Sequence, residues 1–148
     1  MNRETIFITG VGSEMQGVGR LSDGRAVFVP FAIPGETVDV QIEAEKERFC
    51  TARLLDVREP SPDRVVPVCP HYGVCGGCQT QHIAYARALS LKRQKVVDAL
   101  SRLGGVDAPE AGETLASPET LGYRNKAEFA FDGEKAGVCE GGTHRVID

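Results

Sequence analysis

Thr37-Val38-Asp39-Val40-Gln41-Ile42-Glu43 alternates without a break, with Val38, Val40 and Ile42 on one side and Thr37, Asp39, Gln41 and Glu43 on the other. Successive side chains of a strand point to opposite faces, so this stretch is a strand with one face buried. Its surroundings repeat the pattern. Upstream, Arg25-Ala26-Val27-Phe28-Val29 follows the tight-turn signal Ser22-Asp23-Gly24, and Ile33-Pro34-Gly35-Glu36 supplies a second turn. Further back lie Thr5-Ile6-Phe7-Ile8-Thr9 and, after the glycine-rich passage Gly10 to Gly19, a brief strand at Val18 to Leu21. Downstream, the charged loop Glu43 to Arg48 leads into a fifth strand from Phe49 to Val57.

Five strands within residues 1–58, with glycines where a small barrel must bend, predict a closed or partly closed antiparallel barrel of the OB type. Cys50, beside Phe49 in the last strand, reads as a small core residue. Residues 59–105 follow as a second unit. Glu59-Pro60-Ser61-Pro62-Asp63 and Pro67 make a stiff, extended linker, because proline prevents helix and discourages a central strand. After a cysteine cluster comes one long helix, with Tyr85, Leu89, Val96, Leu100 and Leu103 on one face and Gly104-Gly105 as its stop. Residues 106–148 read as loop, then a strand over Arg124 to Phe131, then a hairpin of Lys135 to Cys139 and Arg145 to Ile147 around Glu140-Gly141-Gly142. The predicted fold is thus mainly β with one long helix. The final residues read as a strand in progress, which is the expectation for a truncated domain.

The composition narrows the functional classes. Of 148 residues, 41% are hydrophobic and 26% charged, an ordinary globular balance that argues against disorder. No apolar run approaches the roughly 20 residues of a membrane span, and no basic-then-apolar leader opens the chain. A soluble, cytoplasmic protein is expected. The net charge of −4 is uneven: between His82 and Gly104 there are five cations and one anion. An acidic total therefore leaves room for a basic face.

Five cysteines, an odd number, speak against a disulfide framework. Cys69, Cys75 and Cys78 lie within ten residues at a C-x5-C-x2-C spacing, with Gly76 and Gly77 inside the pair. A C-x2-C turn presents two sulfurs to one centre, and a third thiol upstream closes on it from the other side. Zinc and iron–sulfur clusters both take four such ligands. A redox C-x-x-C pair and simple buried thiols are the alternatives, the first without the βαβ context it needs. His71 reads as an exposed loop histidine, and Cys139 as a strand cysteine of open role.

Beyond spacing, the run Cys69-Pro70-His71-Tyr72-Gly73-Val74-Cys75-Gly76-Gly77-Cys78-Gln79-Thr80-Gln81-His82-Ile83-Ala84-Tyr85 resembles the N-terminal half of bacterial RNA 5-methyluridine methyltransferases of the iron–sulfur type. The barrel, with Gly17-Val18-Gly19-Arg20 and Val29-Pro30-Phe31-Ala32-Ile33-Pro34-Gly35-Glu36, resembles the TRAM domain these enzymes carry for RNA binding. Gly122-Tyr123-Arg124-Asn125-Lys126-Ala127-Glu128-Phe129 resembles the start of their central β-rich domain.

The resemblance implies a 4Fe–4S cluster held by Cys69, Cys75 and Cys78, with the fourth ligand beyond residue 148. It implies methyl transfer from S-adenosylmethionine to uracil C5, through a cysteine thiolate and a general base on a Rossmann-like domain. Nothing in these 148 residues resembles that domain, so no residue here is expected to be catalytic, and S-adenosylmethionine enters only through the missing part. The expected partner is rRNA or tRNA, and the expected state a monomer. Arg20, Arg25, Arg48 and Arg53 on or beside barrel strands, with Tyr123, Arg124 and Lys126, are the candidate RNA contacts. A stand-alone RNA-binding protein with a zinc or cluster knuckle is the rival reading, and a small redox protein the third.

Overall fold

Residues 2–147 are described by a computed structural model. The period-two stretches become β1 (Arg3–Val11), β2 (Gly17–Arg20), β3 (Ala26–Val29), β4 (Thr37–Glu45) and β5 (Phe49–Glu59). They close into a barrel in the order β1-β2-β3-β5-β4, with β4 returning to pair with β1. The inward members of each alternation make the core: Ile6 and Ile8, Val27 and Val29, Val38 and Val40, Cys50 and Ala52. Removing those apolar side chains from water, at roughly 25 cal/mol per Å², is the driving force for closure.

The barrel is not antiparallel throughout. β3 and β5 run parallel, with Val27 opposite Cys50 and Phe28 opposite Thr51. Direction cannot alternate all the way round a closed ring of five, so one neighbouring pair has to be parallel. The glycines also serve two purposes. The register of β1 shifts between Ile8 and Gly10, where the strand bends. Gly17 and Gly19 instead occupy inward positions on β2, where no side chain fits: a Cβ on Gly19 would lie 2.7 Å from the Phe7 carbonyl oxygen.

Residues 59–64, read as a stiff, extended linker, also pack back onto the barrel. Ser61 is buried, and Arg64 reaches back into the barrel. A second, smaller core lies beyond, formed by Met15, Ile33, Ile83, Ala88 and Leu91. The last two belong to α1 (Tyr85–Arg102). The helix runs where its periodicity places it, but its buried face differs. Ala88 and Leu91 face the barrel, whereas Val96 and Leu100 are exposed. A separate strand of chain lies along the other side: Arg93 Nε donates to Ala111 O at 2.7 Å, Thr114 Oγ1 to Leu89 O at 3.0 Å, and Ser117 N to the Tyr85 hydroxyl at 2.8 Å. The apolar stripe is wider than the one barrel contact can cover.

The C-terminal segment forms a three-stranded sheet of β6 (Ala130–Phe131), β7 (Ala136–Cys139) and β8 (Val146–Ile147), in that order. The hairpin of β7 and β8 matches the sequence reading. The strand expected over Arg124 to Phe131 does not, because only Ala130 and Phe131 find a partner in the short β7. Asp148, the end of the unfinished strand, lies outside the described residues. No helix among the described residues is long and apolar enough to cross a membrane.

Gly19→Ala should lower the barrel's stability by about 1–3 kcal/mol, since the added methyl meets the β1 backbone and the Ile6 side chain rather than a flexible tip. An unchanged urea midpoint would contradict this account of β2.

Candidate nucleic-acid interface and cysteine loop

The turn between β3 and β4 carries the residue on which the site is built. Glu36 is fully buried, and its carboxylate accepts four hydrogen bonds: from Ile33 N at 3.0 Å, Ser61 N at 3.3 Å, Arg64 Nε at 2.5 Å and Arg64 Nη2 at 2.8 Å. Burial alone would raise its pKa. The guanidinium and the two backbone donors outweigh burial and hold the group below the ordinary value of 4.5. Arg64 Nη2 also donates to Phe31 O at 2.7 Å, fixing a phenylalanine whose φ of 65° is a conformation such residues rarely adopt.

Arg64 then ties the next segment down. It bridges to Ile83, and Val65 N donates to His82 O at 3.0 Å, so the chain leaving the barrel pairs with the chain entering α1. His82 is buried beside them. Burial first, then the Arg64 charge, pushes its pKa down to about 4 against the opposing pull of Glu36, and the ring is neutral at pH 7. Tyr72, raised to about 12 chiefly by burial, shares a hydrogen bond between its hydroxyl and His82 Nδ1 at 2.5 Å. The Phe31 ring packs edge-on against Tyr72 at 5.4 Å between centroids.

Between Val65 and His82 hangs the cysteine loop. Its turns are closed by Tyr72 N to Cys69 O, and by Val74 N and Cys75 N to His71 O. The far side is held by the β7–β8 hairpin: Gly76 N donates to Cys139 O at 3.0 Å and Gly141 N to Val74 O at 2.9 Å. Cys69, Cys75, Cys78 and Cys139 are free and half-buried. Gly77 N donates to Cys75 Sγ and Gln81 Nε2 to Cys78 Sγ, both at 3.3 Å, while Gln81 Oε1 accepts from Cys69 N at 3.2 Å. Cysteine thiols in one loop are donors of the kind that zinc and iron–sulfur clusters take. Among the described residues, however, no three metal-ligating side chains converge on one point.

The arginines expected to touch RNA are mostly engaged. Arg20 Nη1 donates to Gly24 O at 2.9 Å, closing its own turn. Arg25 pairs with Asp23 at 2.6 Å and Glu45 at 3.0 Å, and Arg53 with Glu43 at 3.3 Å. Arg48, in the β4–β5 loop, is exposed and has no ion pair among the described residues. Tyr123 and Arg124 are exposed in the C-terminal segment, and Lys126 pairs with Glu128 at 2.8 Å. The structure gathers Arg20, Arg25 and Arg48 near the β2–β3 turn and β4–β5 loop and leaves the rest apart.

Sequence reading missed the aromatic side chains between them. Phe28 and Phe49 meet edge-to-face at 5.6 Å, with Lys46 Nζ 5.9 Å from the centre of the Phe49 ring. The signal was present: Phe28 falls between inward Val27 and Val29 and so faces outward.

The TRAM domain model matches residues 3–55. The barrel is a TRAM domain. Similarity extends past it. An uncharacterized RNA methyltransferase of Clostridium tetani is 41% identical over 147 residues, 97% of this chain and 32% of that protein. Another from Synechocystis is 39% identical, covering 95% of this chain and 30% of its own length. One from Chlorobaculum tepidum is 44% identical over 84% of this chain and 26% of that protein. The chain thus spans about a third or less of the curated relatives it matches. The TRAM barrel and the cysteine loop both fall within the stretch matched by proteins bearing the methyltransferase name.

Two buried groups contribute to the acid stability of the TRAM barrel and its junction. His82 takes up a proton on unfolding, so stability falls as pH drops from about 6.5 towards about 4. Glu36 is lowered in the folded chain, so its contribution is present above 4.5 and is lost below it. Glu36→Gln should cost about 3 kcal/mol at pH 7 by leaving Arg64 without its buried partner, and should flatten the lowest part of the profile. Urea midpoints at pH 7, 5.5 and 4 measure both effects.

Proposed function

We propose that this chain is the RNA-recognition portion of an S-adenosylmethionine-dependent methyltransferase acting on uracil C5 in rRNA or tRNA. What carries the reading is a TRAM barrel with a cysteine loop seated against it, continuous in sequence with RNA methyltransferases over 97% of the chain. The cysteine motif, which resembles that of the uracil-C5 enzymes, narrows the base and the position. Residues 59–105 join the barrel to the opening of a central β domain at residues 106–148, and the protein works as a cytoplasmic monomer.

Cys69, Cys75 and Cys78 are proposed as three ligands of a 4Fe–4S cluster. Bound there, the cluster supplies a fixed junction rather than chemistry on the substrate. Gly77 N and Gln81 Nε2 donate to the sulfurs of Cys75 and Cys78 and so orient them, and the β7–β8 hairpin is bonded to the loop's far side. RNA contact falls to the barrel's cations, with Arg48 the one most free to engage a phosphate. Arg20, Arg25 and Arg53 would have to give up existing partners, and Tyr123, Arg124 and Lys126 would contribute from the C-terminal segment. No residue of this chain is assigned a catalytic role.

Anaerobic purification should yield a protein carrying iron with acid-labile sulfide, lost in Cys75→Ala. Stoichiometric zinc in place of iron would overturn the cluster and favour a zinc knuckle. The 148-residue chain should bind RNA but transfer no methyl group from S-adenosylmethionine.

A further inference from the structure

A groove of about 500 Å³ runs between the outer face of β3 and β5 and the cysteine loop. That volume lies within the roughly 300–1,000 Å³ of small-ligand clefts. Its barrel wall is Phe28, Pro30, Phe31 and Thr51, and its opposite wall includes Cys75 and Cys78. Three features set it apart from an accidental crevice. First, of the three non-glycine residues with positive φ among the described residues, Met15 at 61° and Phe31 at 65° both line it. Disfavoured backbone persists only where the surroundings enforce it, and here Arg64 does so at Phe31. Second, the Phe28 ring on its wall is braced edge-to-face by Phe49. Third, charge is sorted along it: Glu14 lies in the groove, as does Glu140, whose carboxylate is already paired with Arg145 at 2.7 Å, whereas Lys46 sits over the Phe49 ring and Arg48 immediately precedes Phe49 in the chain.

That sorting decides what enters. A phosphate would meet the Glu14 carboxylate inside the groove and no free cation among its lining residues, but a neutral planar group can lie against the aromatic wall. Resting on the RNA-binding reading above, we propose that this groove is a subsite for one unpaired base of the RNA. The base stacks at Phe28 while its flanking phosphates stay outside, against Lys46 and Arg48. Stacking on an aromatic ring is sequence-tolerant, because every base has a π-face. A base enters such a groove only when it is free of its helix, so the subsite takes an unpaired base.

The test is binding of a fluorescein-labelled 12-nucleotide single-stranded RNA of mixed sequence to the 148-residue chain, followed by anisotropy. A duplex of the same sequence is the control. The wild-type chain should prefer the single strand. Phe28→Leu, which keeps apolar volume but removes the ring, should weaken single-strand binding about tenfold without changing its salt dependence. Lys46→Ala and Arg48→Ala should each reduce the slope of log affinity against log salt by about 0.7. Thr51→Glu, at an exposed groove position that leaves the core untouched, should also abolish the preference for single strands. Equal binding by wild type, Phe28→Leu and Thr51→Glu would overturn the subsite while leaving RNA recognition intact. Equal affinity for duplex and single strand would do the same. Failure of the wild-type chain to bind either RNA would overturn the RNA reading itself, and the subsite with it.

Discussion

Glu36 carries a charge with no access to water, and a buried carboxylate persists only where donors surround it. Its donors come from two places far apart in the chain: Ile33 beside it, and Ser61 and Arg64 beyond the last barrel strand. Satisfying this one group therefore folds the proline-rich segment back onto the barrel. From Arg64 the dependence spreads in two directions. Towards the barrel it holds the Phe31 carbonyl; away from it, the pairing of residues 64 and 65 with 82 and 83 sets where α1 begins. The ion pair thus acts together with the second core of Met15, Ile33, Ile83, Ala88 and Leu91 to fix the cysteine loop and the helix against the barrel.

The cysteine loop is consequently a bridge with both ends tied. Tyr72 and His82 anchor one side through a buried hydrogen bond, and the tip of the β7–β8 hairpin anchors the other through backbone bonds at Gly76 and Gly141. The thiols are left half-buried at its surface, with amide donors on two of the sulfurs. This arrangement links three stretches of chain: barrel, loop and C-terminal sheet.

The outer barrel face shows how function is placed without disturbing the core. Alternation that sends Val27 and Val29 inward sends Phe28 outward, and the parallel pairing of β3 with β5 brings Phe49 beside it. Packing and exposure are thus set by the same backbone, one face for each purpose. The cations that seemed to define an RNA surface are, in the folded chain, largely committed to neighbouring carboxylates. Exposed ion pairs of this kind contribute little to stability, about 0–1 kcal/mol, and are readily exchanged for another anion.

The five strands, the helix, the terminal hairpin and the buried Cys50 were legible in the sequence because each depends on a local period or turn that a few adjacent residues declare. The cysteine motif was legible for the same reason: its spacing is short. What tertiary structure alone decided is everything that joins distant residues. The parallel pair follows from closing a ring of five strands, and no single strand carries a sign of it. Arg64 lies 28 residues from Glu36, so nothing local marks the ion pair that turns a linker into an anchor. The helix shows an apolar stripe, but only packing chose Ala88 and Leu91 as the part that meets the barrel. The strand after Arg124 failed for lack of a partner long enough to pair with it. Periodicity records which side of an element is apolar; which neighbour that side meets is settled only when the chain has closed on itself.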